Sequence, residues 1–299
     1  MKNQGLIWGL AVSLLILGGC GIKPEEPPVV FEKMSNAMSK VEQLEFSGDF
    51  QVVGNSTIPL FQGLQDLQIS GNGRTNLTEV NNLRYLLNLA IKGKSSEGDT
   101  EIGTEIISFP DCSYFRLTNI VMPLGLPFSL APNNKWYKTK SGGQNLDWLG
   151  STQPVTPEQT NQIRVLIAQS KLFNVVQKFP DETVGGGRTY HWQVAVDAEA
   201  LRVSIRDLTN LTGPATDMDI DHIVAMLSDY TYEFWINKYD HRLMRADIKG
   251  WYDSPEHQRV DFTVKFNFDK FSSVSTIDRP SNVQEFDLRQ MLGLPAITQ

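Results

Sequence analysis

The sequence predicts an α+β fold in which an antiparallel sheet carries most of the structure and a few helices cover part of it. One strand-like segment after another alternates large apolar with polar side chains, which is typical of a sheet with one face in water. These segments are short and are separated by Gly, Asn, Ser or Pro, as in a succession of hairpins. Few helical segments are available to cover so much sheet. Either the sheet therefore curls on itself, or its apolar face forms a concavity.

The first half of the chain begins with a helix and continues with strands. Phe31, Met34, Met38 and Val41 recur at three- and four-residue intervals, which predicts a helix in FEKMSNAMSKVEQL. Strands follow in EFSGDFQVV, LQISGNGRTN, NLRYLLNLAIKG and TEIGTEIISF. A further strand is predicted in DCSYFRL, where Cys112 is expected to be a small buried thiol rather than a nucleophile.

The middle of the chain contains an apolar loop. VMPLGLPFSLAPNN is interrupted by three prolines, which excludes a regular strand or helix. Because exposed loops are normally polar, this one is either a lid at the open edge of the sheet or a permanent closure of one end of the core. Its large side chains are Met122, Leu124, Leu126 and Phe128. A strand in NKWYKTK and a helix in TPEQTNQIRVLIAQSKLF are predicted after it.

The last third shows the alternation most clearly. Strands are predicted in RTYHWQVAV, TYEFWIN, HRLMRADIKGWY and VDFTVKFNFDKF, and short helices in DAEALRVSIRDL and DIDHIVAMLSDY. His191 falls on the polar side of its strand, so we expect it at the surface. The large apolar side chains that share one face are Tyr190, Trp192, Tyr232, Phe234, Met244, Phe262, Phe266 and Phe268. They form either an ordinary core between sheet and helices or the lining of a cavity.

The N-terminus resembles a bacterial lipoprotein precursor. Lys2 precedes an apolar run that is too short to span a bilayer comfortably, as in a secretion signal. Leu17-Gly18-Gly19-Cys20 resembles the lipobox, in which the cysteine becomes the lipidated first residue of the mature chain. We therefore predict a signal peptide over 1–19, a lipidated Cys20 with an extended tether over 20–30, and a single domain over 31–299. The alternatives are a plain signal peptide or an uncleaved N-terminal anchor.

Composition argues against several classes of function. Lys and Arg number 27 against 34 Asp and Glu, giving a net charge of −7 without a basic cluster, so nucleic acid is not an expected partner. The four histidines show no metal-ligand spacing, and no nucleophile elbow or phosphate loop occurs. We therefore predict no metal, no cofactor and no enzymatic activity.

Three segments carry a resemblance to a known family. GGGRTYHWQVAVDAEAL, YEFWINKYDHRLMRADIKG and FTVKFNFDKFSSVSTIDRP resemble strands of the lipoprotein-carrier family, which includes the chaperones LolA and LolB and the mycobacterial lipoproteins LppX and LprG. Asn237 stands where that family commonly has Asp. The resemblance implies an open half-barrel, a strongly curved antiparallel sheet whose concave face is partly plugged by helices and encloses a cavity for acyl chains.

The resemblance and the alternation together predict a function. We expect a monomeric lipoprotein, anchored to the outer face of the cytoplasmic membrane or to the outer membrane, that binds or carries a lipid or acylated molecule. The eight aromatic and aliphatic residues of the shared face would line the cavity, and the four loop residues would lie at its mouth. The alternative is a non-catalytic envelope lipoprotein whose core is filled and whose surface binds another protein.

Overall fold

The protein was analysed as a computed structural model. The structure describes residues 25–54, 65–76, 84–95, 98–109, 111–121, 135–140, 158, 162, 165–166, 171–212, 220–253, 259–271 and 276–285. Its helices are α1 (Pro27–Ser39), α2 (Ala198–Thr212) and α3 (Ile220–Ser228). Its strands are β1 (Gln43–Val53), β2 (Gln65–Asn76), β3 (Arg84–Ser95), β4 (Gly98–Phe109), β5 (Cys112–Val121), β6 (Trp136–Lys140), β7 (Phe173–Val184), β8 (Gly187–Val196), β9 (Thr231–Asn237), β10 (Leu243–Asp253), β11 (Arg259–Lys270) and β12 (Val283–Glu285).

The twelve described strands form one sheet in the order β12-β6-β5-β4-β3-β2-β1-β11-β10-β9-β8-β7. Neighbouring strands are antiparallel except β12 and β6, which are parallel. Within the described part of the chain, the outermost strands β12 and β7 do not pair with each other, so the sheet is open. The predicted α+β class and open half-barrel are confirmed.

The strand registers separate two faces along the whole sheet. Phe266, Phe50 and Leu89 lie on what we call the inner face, because cross-strand partners in an antiparallel ladder point the same way. Lys265 and Asn72 lie on the opposite, outer face. The alternation visible in the sequence is thus the alternation between these faces.

Helix α1 covers the inner face over β8, β9 and β10. Val30 is fully buried, and with Met34 it packs against Trp192, Phe234 and their neighbours. The predicted tether extended to residue 30, whereas the helix begins at Pro27. Prolines are compatible with the first turn of a helix, since its amide groups have no intrahelical acceptor.

Residues 276–282, which precede β12, lie on the outer face. Ile277 is buried with Ile107, Phe109 and Tyr114, so it closes a small core on that side. The Arg279 guanidinium donates to Asp111 at 2.6 Å. This C-terminal segment therefore fastens the outer side of β4 and β5.

Strand β7 was not predicted from the sequence. It contains Pro180 and departs from regular register between Val175 and Gln177 and between Phe179 and Glu182. Proline and irregular register suit a strand at the edge of a sheet, where one row of backbone groups needs no partner strand. The helix predicted just before it falls mostly outside the described residues.

Candidate functional site

The inner face contains an apolar groove across β11, β1, β2 and β3. One cross-strand row there runs Phe266, Gly48, Gly71, Leu89, so that two adjacent positions have no side chain. The rows on either side carry large apolar side chains and form the walls. The groove has a volume of about 140 Å³. The apolar residues around it are Phe46, Phe50, Ile69, Leu87, Leu89, Val264 and Phe266.

Close contacts surround both glycines at the floor of the groove, and they are tighter at Gly71 than at Gly48. A Cβ atom on Gly71 would lie 2.7 Å from both the Asn88 carbonyl oxygen and Leu89 Cδ2. A Cβ atom on Gly48 would lie 3.1 Å from Phe266 Cδ1. Phe266 and Leu89 thus lean over the glycine floor from its two ends, and any side chain at either glycine would occupy the groove.

The groove has an apolar interior. Asp49 and Asn72 border it, but strand alternation directs their side chains to the outer face, where Asn72 accepts a 2.9 Å hydrogen bond from Asn88. Phe266 remains 38% exposed, so the described residues leave the groove open. Among these residues, the site offers hydrophobic contact and no charged side chain to a ligand.

The predicted cavity residues divide between the groove and the core. Phe266 lines the groove. Trp192, Tyr232, Phe234 and Met244 are buried, three of them in the cluster under α1. The remaining three of the eight lie beside these regions: Tyr190 packs against the α1 cluster, Phe262 contacts Phe50, and Phe268 pairs with Phe46. Cys20, Met122, Leu124, Leu126 and Phe128 lie outside the described residues.

Tyr232 shows how closely the part of the inner face covered by α1 is packed. Its hydroxyl donates a 2.8 Å hydrogen bond to the carbonyl of Leu227 in α3. Burial raises the pKa of Tyr232 to about 12, because the phenolate would lose its hydration. The side chain is part of a sealed core.

This pKa predicts a loss of stability in alkali. The unfolded Tyr232 titrates near pH 10, so its contribution is complete below pH 10 and is lost as pH rises through about 12. The loss amounts to about 2–3 kcal/mol. Tyr232→Phe should lack this contribution, and denaturant unfolding at pH 9 to 12 measures the difference. Equal pH slopes for the two proteins would contradict a sealed Tyr232.

The outer face of β7, β8 and β9 carries a polar cluster. His191 was expected at the surface but is buried, with its ring stacked on Trp235 at 4.1 Å. Its Nε2 lies 3.1 Å from Glu233. Its Nδ1 lies 3.0 Å from Glu182, close enough for an ion pair although not aligned for a hydrogen bond. Trp235 donates to Glu182 at 3.0 Å, so the cluster fastens β7, β8 and β9 together.

A third group of contacts holds the beginning of the described chain. Glu25 accepts from Lys33 at 2.8 Å and lies 3.0 Å from Nε2 of His241, in the turn between β9 and β10. These contacts, the Lys33 hydrogen bond above all, lower the pKa of Glu25. The chain therefore enters the domain at the β9–β10 turn.

Metal sites and membrane-spanning helices have specific structural requirements. Among the described residues, no group of three or more His, Cys, Asp or Glu is placed to hold a metal ion. Among the described helices, none has the length and apolar character needed to cross a membrane.

Sequence reasoning missed the glycines that make the groove. LQISGNGRTN was recognised as a strand, but its Gly71, which lines the groove, and Gly73, two residues further on, were not recognised as a signal of a site. Glycines at this spacing share one face of a strand and mark a close approach of backbone or ligand. That signal was available in the sequence.

Comparison with known proteins gave likenesses of structure only. No family model matches the sequence, and no curated protein matches it. LprF from Mycobacterium bovis is similar in structure, with 11% identity, a TM-score of 0.45, and coverage of 85% of this chain and 96% of that chain. A beta-barrel-like protein of a domain of unknown function from Brucella abortus is 10% identical, with a TM-score of 0.25, and covers 75% of this chain and 95% of its own.

Proposed function

We propose that this protein binds or carries a lipid or acylated molecule and that an acyl chain lies in the inner-face groove. The single observation that carries this is the row in which Gly48 and Gly71 lie side by side between Phe266 and Leu89. Glycine weakens a strand, so two of them together at the centre of an apolar face are best explained by the space they leave.

The energy of binding comes from removing methylene groups from water. Each buried methylene contributes about 0.8 kcal/mol, so a few of them in the groove give a useful affinity without a charged clamp. This matches a groove whose lining side chains are Phe, Leu, Ile and Val. Ligand selection then depends on chain width and length rather than on a headgroup.

The anchor completes the proposal. Cys20 is the lipidated residue, 1–19 is the removed signal peptide, and the domain acts as a monomer in the cell envelope, on the outer face of the cytoplasmic membrane or on the outer membrane. The lipobox resemblance of Leu17-Gly18-Gly19-Cys20 supports this. The apolar loop with Met122, Leu124, Leu126 and Phe128 is proposed to govern entry to the groove.

The rival function is a protein-binding module with a filled core, and the part of the inner face under α1 is filled in this way. Under α1 the core is closed by Val30 and Met34. The groove lies beyond that helix, and its exposed Phe266 favours a ligand. The two functions therefore predict different states of protein purified from cells. The groove holds a ligand if the protein carries lipid, and it is empty if the protein is a protein-binding module.

Native mass spectrometry of protein extracted from its own membrane tests the proposal. Wild type should show a covalent lipid mass at Cys20 and a further non-covalent mass of an acyl-chain compound. Cys20→Ser should lose the covalent mass and, as a precursor purified from the same cells, still bind an added fluorescent fatty acid. An empty groove in every preparation, together with no uptake of the fatty acid, would favour the rival.

A further inference from the structure

The β9–β10 turn, residues 238–242, presents an aromatic side chain at the end of the sheet where the chain enters. Tyr239 is 85% exposed. The turn itself is well fixed, because Asn237 Oδ1 accepts from the Tyr239 amide at 2.8 Å and His241 donates its amide to the Asn237 carbonyl at 3.0 Å. His241 adopts a left-handed φ of 58°. The exposed ring is therefore held out by a rigid support.

The distance to Cys20 along the chain limits where a bilayer can be. Five peptide steps separate Cys20 from Glu25, and at about 3.3–3.6 Å each they span at most about 18 Å. Glu25 is fixed to the β9–β10 turn through His241. A lipid on Cys20 thus keeps this turn near the membrane surface.

The opposite end of the sheet is too far away to share that position in an upright domain. Strand β1 runs from Gln43, at the end of the sheet that bears the turn, to Val53, at the far end. Its eleven residues extend about 35 Å, roughly twice the reach of the tether. Val53 is 69% exposed, so it provides a comparable surface position.

The charged side chains around the turn are paired with one another. Lys238 and Arg188 pair with Asp181, and Arg242 pairs with Asp240 at 3.5 Å. Such a surface gains little from anionic lipid. Tyrosine, with an apolar ring and a polar hydroxyl, suits the zone between headgroups and acyl chains.

We infer that the β9–β10 turn is the membrane-facing end of the domain and that Tyr239 lies in the interface of the bilayer holding the anchor. The inference rests on the proposed lipid anchor. The partner of the turn is the surface of a lipid bilayer, and neutral headgroups are sufficient for this contact. The turn and the tether then act as two contacts that set the orientation of the groove above the membrane.

Fluorescence quenching in vesicles tests this orientation. The full chain extracted from membranes, with Tyr239→Cys or Val53→Cys carrying an environment-sensitive dye, is reconstituted in phosphatidylcholine vesicles containing a spin-labelled lipid. Cys112 is only 1% exposed, so the dye reports the introduced position. Quenching should be at least three-fold stronger at 239 than at 53. Adding Glu25→Ala, which releases the tether from His241, should reduce this ratio.

Each other outcome counts against the inference. Equal quenching at the two positions, or stronger quenching at 53, overturns it. Protein that does not float with the vesicles overturns both the anchor and the orientation. Uptake of a fluorescent fatty acid, measured on the same samples, is independent of both. Normal uptake with the wrong orientation would therefore leave the groove function standing and remove only the orientation.

Discussion

Gly48→Val is expected to abolish most lipid binding while leaving the protein folded. The new side chain would project into the groove at the point where a Cβ atom lies 3.1 Å from Phe266 Cδ1 and 3.2 Å from the Lys265 carbonyl oxygen, contacts that shifts of a few tenths of an ångström relieve. It occupies the space of about three methylenes, each worth about 0.8 kcal/mol, so affinity should fall roughly fifty-fold. Titration with a fluorescent fatty acid measures the loss.

Ser70→Val is the matched control for this change. Ser70 lies on β2, next to the glycine floor in sequence, but the register directs it to the outer face beside Asp49. It should bind the fatty acid as wild type does. Should both variants bind like wild type while retaining their thermal transitions, the ligand does not lie over Gly48, and the groove loses its proposed role.

Phe234→Ala is expected to have the opposite profile, with a large loss of stability and normal binding. The Phe234 ring is buried 4.9 Å from the ring of Phe173, in the cluster that α1 covers. Truncating a buried Phe costs about 3–5 kcal/mol, because it removes hydrophobic contact and leaves a cavity. Denaturant unfolding measures the cost, and fatty-acid uptake is measured on the folded protein.

Phe266→Ala is the comparison for Phe234→Ala. Its ring is partly exposed at the groove, so its removal should cost only about 1–2 kcal/mol of stability but should weaken binding. A Phe234→Ala protein that stays as stable as wild type yet binds less lipid would place the ligand under α1. The division between core and groove would then be wrong.

The fold was predictable from the sequence because alternating apolar and polar residues in a strand point to opposite faces of the sheet. RTYHWQVAV and VDFTVKFNFDKF each place one apolar face inward, and they became β8 and β11. Strand β7 escaped prediction because Pro180 and two irregularities disturb its period. The start of α1 was placed too late because prolines usually break helices but are accepted in a first turn.

The site was less predictable because size was taken as the signal. Large aromatics such as Trp192 and Phe234 suggested a lining, yet a large side chain fills space as readily as it borders it. Which of them are covered depends on where α1 lies, and periodicity within a strand does not specify that. The position of the groove is determined instead by two glycines that are cross-strand partners, Gly48 and Gly71.

The glycine floor has a consequence for how this protein responds to selection. Glycine within a strand lowers the stability of the folded protein by roughly 0.5–1 kcal/mol relative to alanine, so the glycine floor makes the fold less stable than alanine at the same positions would. A laboratory selection for thermal stability would favour side chains at Gly48, where the contacts of a new Cβ atom are less severe than at Gly71. The most thermostable variants should therefore be those that no longer bind lipid. This is the trade-off known from sites where activity requires a locally weakened structure.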